Sequence, residues 1–308
     1  MKHLNRVRKL AAALTFATLA GMAALTAQAA EKSGYIEANG IKYYFEITGK
    51  GEPLLLLHGG LGSTGMFAPI LPALSDHRQV IAIDLHGHGR TELGTRAINL
   101  PDIGDDVATV LALLGYKQVD VLGYSFGGGV AFRLAAQHPQ RVRRVALVSA
   151  GFSDAGFYDD MRQQQNGLTA DAAPMMKETP MYQSYVAVAP KPEDFPRLLQ
   201  AMGDLMRQHY DYSADVKKIT AHTLLVFGDA DMYKPEHVVE FYKLLGGGQR
   251  DAGWGRETMS RNRLAIIPDQ THYDIFFSKK LVDTTLPFLD GVSGSATWQQ
   301  AVETQTRK

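Results

Sequence analysis

Ser125 is the residue with the clearest chemistry. It lies in Gly123-Tyr124-Ser125-Phe126-Gly127-Gly128-Gly129, which fits G-x-S-x-G. The apolar run Val119-Asp120-Val121-Leu122 precedes it, and Phe126 to Gln137 reads as a helix. A serine flanked by glycines between a strand and a helix sits on a tight, strained turn that lifts its hydroxyl clear of the chain. The start of the helix aims free backbone N–H groups at the same point. Such a hydroxyl becomes a nucleophile once a base takes its proton.

His272 is the best base. It lies in Pro268-Asp269-Gln270-Thr271-His272-Tyr273, just past the last predicted strand. The other histidines have weaker claims. His3 belongs to the N-terminal leader, His77 precedes a strand on the side away from Ser125, and His138 closes a helix. His209, His222 and His237 sit in or beside predicted helices and strands. The base in turn needs a carboxylate to fix its tautomer and stabilise its charged form. Gly228-Asp229-Ala230-Asp231 offers two. Asp231 lies further into the loop, where it can turn towards His272, whereas Asp229 reads as a turn residue.

Short apolar runs must position these groups. They are Pro53–Leu57, Val80–Ile83, Val119–Leu122, Val145–Val148, Thr223–Phe227 and Leu264–Ile267, after a first strand over Ile41–Ile47. Runs apolar on both faces fit strands buried in a parallel sheet. Helical patterns over Asp102–Leu114, Phe126–Gln137 and Pro235–Leu245 alternate with them. That alternation predicts an α/β, doubly wound, mostly parallel sheet. It lapses between residues 152 and 215, which hold six of the eleven methionines and several tyrosines. This stretch reads as a helical cap over the strand ends, with some of these side chains in its own core and the rest lining a pocket. The core is then 30–151 and 216–290, with a flexible polar tail over 291–308. The glycine-rich stretch 246–255 follows a helix and lacks a Gly-Lys-Ser/Thr ending, so it reads as a surface connection and not a phosphate loop.

Residues 1–29 have the layout of a secretory signal peptide: a basic start, an apolar stretch from Leu10 to about Leu25, and Ala27-Gln28-Ala29 as a cleavage pattern. Cleavage after Ala29 leaves 28 basic and 32 acidic residues, a net charge of −4. The expectation is a soluble protein that is periplasmic or secreted, with no membrane association after cleavage. The absence of a basic excess argues against nucleic-acid binding. The chain has no cysteine, which excludes disulfides, thiolate metal sites and a cysteine nucleophile.

The chain resembles the α/β-hydrolase superfamily, in particular its esterase-like branch with a cap. The resemblance runs from about Tyr35 to Leu289. It rests on His58-Gly59-Gly60, Asp84-Leu85-His86-Gly87-His88-Gly89, the turn at Ser125, and the Asp231 and His272 loops, in the chain order Ser, Asp, His. Arg90-Thr91 departs from the usual Gly-x-Ser ending of the second segment. The resemblance implies that the backbone N–H groups of Phe126 and Gly60 form an oxyanion hole, with Leu61 the less favoured partner. It implies structural roles for His58, His86 and His88. A serine at this turn argues against haloalkane dehalogenases and epoxide hydrolases, which carry aspartate there. The implied activity is hydrolysis of a small-molecule carboxylic ester, without metal or cofactor. Lactonase, thioesterase, acyltransferase and carbon–carbon hydrolase chemistry use the same triad. An aminopeptidase would need acids such as Glu178, Glu193 or Asp194 near the site, and a non-catalytic ligand-binding role is a further alternative. The oligomeric state is left open.

Overall fold

The computed structural model describes residues 30–292 and 296–306. The proposed signal peptide therefore lies outside the described residues. Eight strands form one sheet: β1 (Lys32–Ala38), β2 (Ile41–Thr48), β3 (Glu52–Leu57), β4 (Arg78–Asp84), β5 (Val119–Tyr124), β6 (Val142–Val148), β7 (His222–Ala230) and β8 (Arg263–Thr271). Their order is β1-β2-β4-β3-β5-β6-β7-β8. The pairs β1·β2 and β2·β4 are antiparallel, and all later pairs are parallel.

The helices are α1 (Leu71–Ser75), α2 (Leu100–Leu113), α3 (Phe126–Gln137), α4 (Asp159–Asn166), α5 (Ala173–Met176), α6 (Pro180–Val186), α7 (Phe195–Arg207), α8 (Ser213–Val216), α9 (Pro235–Leu244), α10 (Lys279–Leu289) and α11 (Trp298–Thr306). They cover both faces of the sheet. Alternate strand residues face opposite ways. Leu55, Leu57, Val121 and Leu147 pack with α2, α3 and α9 on one face, while Leu54, Leu56, Leu122 and Val148 pack with α1 and α10 on the other. Burial on both sides is why the central strands read as unbroken apolar runs.

Three expectations change at the edges. β1 has no apolar run, because it is a largely exposed edge strand held by its register with β2. The Leu264–Ile267 run lies on the opposite edge, so only Ile267 is buried in β8 and Ile266 is 46% exposed. In the segment read as a flexible tail, Trp298–Thr306 is helical, with Trp298 exposed.

Between β6 and β7 the chain leaves the sheet and forms α4 to α8. In α7, Phe195, Leu198, Leu199 and Met202 are buried at helical spacing. Tyr182 and Tyr185 of α6 pack edge-on or tilted against Phe195. The parallel strands all point their carboxyl ends to this side, where α/β sheets place their ligand sites.

The junction of β5 and α3 is closely packed. A Cβ on Gly127 would lie 2.2 Å from the Leu57 carbonyl oxygen, and one on Gly123 would lie 2.4 Å from the Gly127 carbonyl oxygen. These neighbours are backbone and cannot swing aside. Gly127→Ala is expected to push α3 off β3 and cost about 2–3 kcal/mol, as overpacking does. Thermal unfolding of the variant beside wild type checks this; an unchanged midpoint would contradict it.

Candidate active site

Ser125 follows directly on β5 and has φ 53° and ψ −117°, in the left-handed region that non-glycine residues rarely adopt. Its N–H is fixed to the Val148 carbonyl at 2.9 Å. The hydroxyl lies 2.9 Å from His272 Nε2. His272 Nδ1 lies 3.0 Å from Asp231 Oδ1. An ionised carboxylate only accepts, so it places the ring proton on Nδ1 and leaves the Nε2 lone pair facing the serine hydroxyl. His272 is buried apart from this approach, with 4% of its surface exposed.

Each member is held by backbone as well. Met232 N–H donates to Asp231 Oδ1 at 2.8 Å, and Gly228 N–H to Oδ2 at 3.3 Å. The buried Tyr124 hydroxyl donates to the His272 carbonyl at 2.6 Å, and its ring stands 5.3 Å from the imidazole. Burial and the nearby Asp231 charge push the Tyr124 phenol well up, so it stays protonated as that donor. Asp229 accepts from Gln270 N–H instead, at 3.3 Å, joining the ends of β7 and β8.

Phe126 is the first residue of α3, so its N–H has no acceptor within the helix. Gly60 comes close to it: a Cβ on Gly60 would be 3.8 Å from the Phe126 Cβ. Neither N–H has a hydrogen-bond acceptor among the described residues. Gly60, Leu61, Phe126, Ser125 and His272 all line one cavity of about 890 Å³. Leu61 turns the chain back with φ 59°, and Gly62 N–H closes that turn on the Gly59 carbonyl.

The three histidines around this loop lie behind the cavity. His58 Nε2 accepts from Leu85 N–H, His86 Nε2 contacts the Leu93 carbonyl, and His88 Nδ1 contacts the His86 carbonyl. His88 stacks on Phe126. Asp84 organises the adjoining turn by accepting Thr64 N–H and Arg90 N–H. The unusual Arg90-Thr91 ending has its own partners: Thr91 donates to the Asp84 carbonyl and accepts from Tyr44 N–H, while Arg90 lies over the Tyr44 ring.

Burial, aided by the nearby His58, lowers the His88 pKa to about 3, and burial also lowers those of His58 and His86. An unfolded histidine titrates near 6.5, so below that pH the unfolded chain gains protons that the native state refuses. Stability is therefore full above about pH 6.5 and falls as the pH drops towards 3, by about 1.4 kcal/mol per unit for His88 alone. Urea unfolding at pH 7 and pH 5 is expected to show this loss. In His88→Leu the difference between the two pH values should shrink by about 2 kcal/mol; an unchanged difference would contradict the assignment.

The cavity walls are largely apolar. Met181, Met202 and Met206 line it, as do Tyr210 and Tyr212. Met161 and Met176 pack against the core instead, and Met175 is exposed. Met66, Phe157, Met232, Tyr233 and Phe276 also line it, from loops outside the methionine-rich helices or at their border. No sequence pattern marked these five; they meet only because the strand ends converge.

The strand order and the placement of Ser125, Asp231 and His272 after β5, β7 and β8 decide the fold. The chain has the α/β-hydrolase fold. A family model described as alpha/beta hydrolase fold matches residues 52–179. That stretch contains Ser125 and Gly60 but ends before Asp231 and His272. The chain is similar to a 2-hydroxymuconate semialdehyde hydrolase of Pseudomonas sp. strain CF600, with 41% identity over 123 residues, covering 38% of this chain and 44% of that protein. The matched stretch spans less than half the length of the curated relatives it matches. Among solved structures, a carboxylesterase of Bacillus subtilis aligns with a TM-score of 0.65 at 17% identity, over 85% of this chain and 92% of its own. An enol-lactonase of Burkholderia xenovorans LB400 aligns with a TM-score of 0.62 at 20% identity, over 83% and 100%. At such identities the likeness is one of fold.

Proposed function

We propose that this α/β-hydrolase-fold protein is an exported serine hydrolase that cleaves uncharged, apolar carboxylic esters. The observation that carries the reading is the hydrogen-bonded series Ser125, His272, Asp231, opening into a large apolar cavity. Ser125 Oγ attacks the ester carbonyl while His272 Nε2 takes its proton. Asp231 stabilises the imidazolium. The N–H groups of Gly60 and Phe126 receive the oxyanion, and each such donor lowers the barrier by roughly 3 kcal/mol in comparable sites. Collapse breaks the bond to the leaving oxygen, which takes the proton from His272, and leaves an acyl group on Ser125. Water then attacks the acyl carbon with His272 again as base, releasing the acid and free serine.

A lactone is an ester within a ring and follows the same steps. The aminopeptidase alternative is less well supported, because none of Glu178, Glu193 and Asp194 lines the cavity, and Asp194 is paired with Arg197. The two arginines on the cavity wall are also paired, Arg90 with Asp84 and Arg162 with Asp154. This favours neutral substrates. Export is proposed from the basic, apolar and A-x-A order of residues 1–29. Among the described residues no helix is long and apolar enough to cross a membrane.

Hydrolysis of p-nitrophenyl acetate, butyrate and octanoate by the mature protein tests the substrate class. Each methylene buried in the transition state contributes about 0.8 kcal/mol, or roughly a fourfold gain in kcat/KM. The expected order is octanoate, then butyrate, then acetate. A preference for acetate or for short, charged acids would overturn the apolar reading.

A further inference from the structure

We propose that Ser149 is a positioning residue of the triad, acting through Asp231; this rests on the serine-hydrolase reading above. Ser149 is the first residue after β6, next to β7 in the sheet, and is fully buried. Its hydroxyl donates to Asp231 Oδ2 at 2.5 Å, and its N–H is fixed to the Val226 carbonyl at 2.8 Å. It holds φ 51°, in the left-handed region where a side chain is disfavoured and glycine is the usual occupant. A glycine would suit that backbone better. The serine side chain therefore has a use that offsets its strain, and among the described residues its hydroxyl bonds to the triad carboxylate.

The setting is consistent with this. The non-glycine residues at positive φ include Leu61, Ser125 and Ser149, which all follow the carboxyl ends of neighbouring central strands beside the same cavity or triad. Strain that clusters at a site points to function there. Asp231 divides its partners by oxygen. Oδ1 takes His272 and Met232 N–H, whereas Oδ2 takes Ser149 and the long contact from Gly228 N–H at 3.3 Å. Without the Ser149 hydroxyl, Oδ2 keeps only that long contact. The carboxylate is then freer to rotate, and its charge, less shared, binds the His272 proton more tightly.

Besides Asp231, the titratable groups around His272 are Tyr124 from the end of β5 and Tyr273 and Asp274 from its own loop. None of them touches Ser149. A change in the His272 titration on altering Ser149 therefore runs through Asp231.

The test uses Ser149→Gly, which relieves the backbone and removes only the hydroxymethyl group, with Ser149→Ala as a second variant. The probe is diethyl p-nitrophenyl phosphate. Ser125 Oγ forms a bond to phosphorus, its proton passes to His272, and one p-nitrophenolate leaves per chain labelled. Wild type is expected to be labelled once, on Ser125. In Ser149→Gly the labelling rate constant is expected to fall about tenfold to a hundredfold, the size set by one lost hydrogen bond to a charged group. The acid limb of its pH profile should move up, the reagent concentration giving half-maximal rate should stay unchanged, and the thermal midpoint should not fall. A merely structural serine would leave rate and pH profile unmoved in Ser149→Gly, and that result overturns the proposal. If Ser149→Ala loses rate only as far as it loses folded protein while Ser149→Gly keeps full rate, the proposal is likewise overturned. Wild type that is never labelled would overturn the serine-hydrolase reading itself.

Discussion

With His272 replaced by Ala, ester hydrolysis is expected to fall about a millionfold, the loss seen when the base of a serine triad is removed. The size follows from the geometry. His272 Nε2 is the acceptor 2.9 Å from the Ser125 hydroxyl, and no other titratable group has a hydrogen bond to that oxygen among the described residues. His58, His86 and His88 lie behind the cavity, none of them lines it, and each holds a backbone group through a ring nitrogen: Leu85 N–H, the Leu93 carbonyl and the His86 carbonyl. They cannot substitute. The residual rate should come from the oxyanion donors and from binding. Steady-state kinetics on a p-nitrophenyl ester checks this, with circular dichroism to establish that the variant folds. A loss of only tenfold would mean that another group carries the proton.

Asp231→Asn is the second large effect. The substitution is isosteric and keeps a partner for His272, but it removes the charge that stabilises the imidazolium. It also creates a conflict of donors. Both carboxylate oxygens accept backbone N–H groups, Met232 on one and Gly228 on the other. An amide nitrogen on either side meets one of them, and on the His272 side it would also favour the wrong tautomer. The expected result is a fall in kcat of about ten thousandfold with KM little changed. Kinetics of the folded variant tests it. If Asp229 were the working acid, Asp229→Asn would show this loss and Asp231→Asn would not.

The sequence carried much of this site because the site is made of strand ends. β3 to β7 are buried on both faces, so their apolar runs stand out, and the residue after each run is where ligands meet such a sheet. Ser125, Asp231 and His272 could be placed in that way. Spacing alone favoured Asp231 over Asp229, and in the structure Asp231 bonds to His272, while Asp229 lies not in a turn but at the end of β7, where it accepts from Gln270 N–H of β8. Ser149 was not legible. A serine after a buried strand resembles any turn residue, and its use depends on the lateral pairing of β6 with β7 and on a left-handed φ. The edges were hard for a related reason. β1 buries little, and β8 carries an apolar run that burial does not explain, with Ile266 exposed. The cap could be bounded but not resolved. Met202 and Met161 are both methionines on helices, and only three-dimensional packing buries the first with an edge on the cavity and leaves the second partly buried and off the cavity wall.

Tyr124 shows how local motif and tertiary structure combine. In the sequence it is the variable residue before the nucleophile. In the structure its hydroxyl ties the His272 loop to the end of β5, and a Cβ on Gly59 would lie 2.6 Å from its ring. One side chain thus sets the distance between the serine turn, the histidine loop and the His58-Gly59-Gly60 segment. That coupling fixes the relative positions of Ser125, His272 and the Gly60 loop, the kind of preorganisation electrostatic catalysis requires.

Ser125 is proposed as the nucleophile of an ester hydrolase. The most direct measurement is the initial rate of p-nitrophenyl octanoate hydrolysis by the mature wild-type protein beside Ser125→Ala, both shown to be folded. Turnover in wild type that falls about a millionfold in Ser125→Ala is the predicted result. Equal rates in the two proteins, or no turnover by folded wild type, would contradict it.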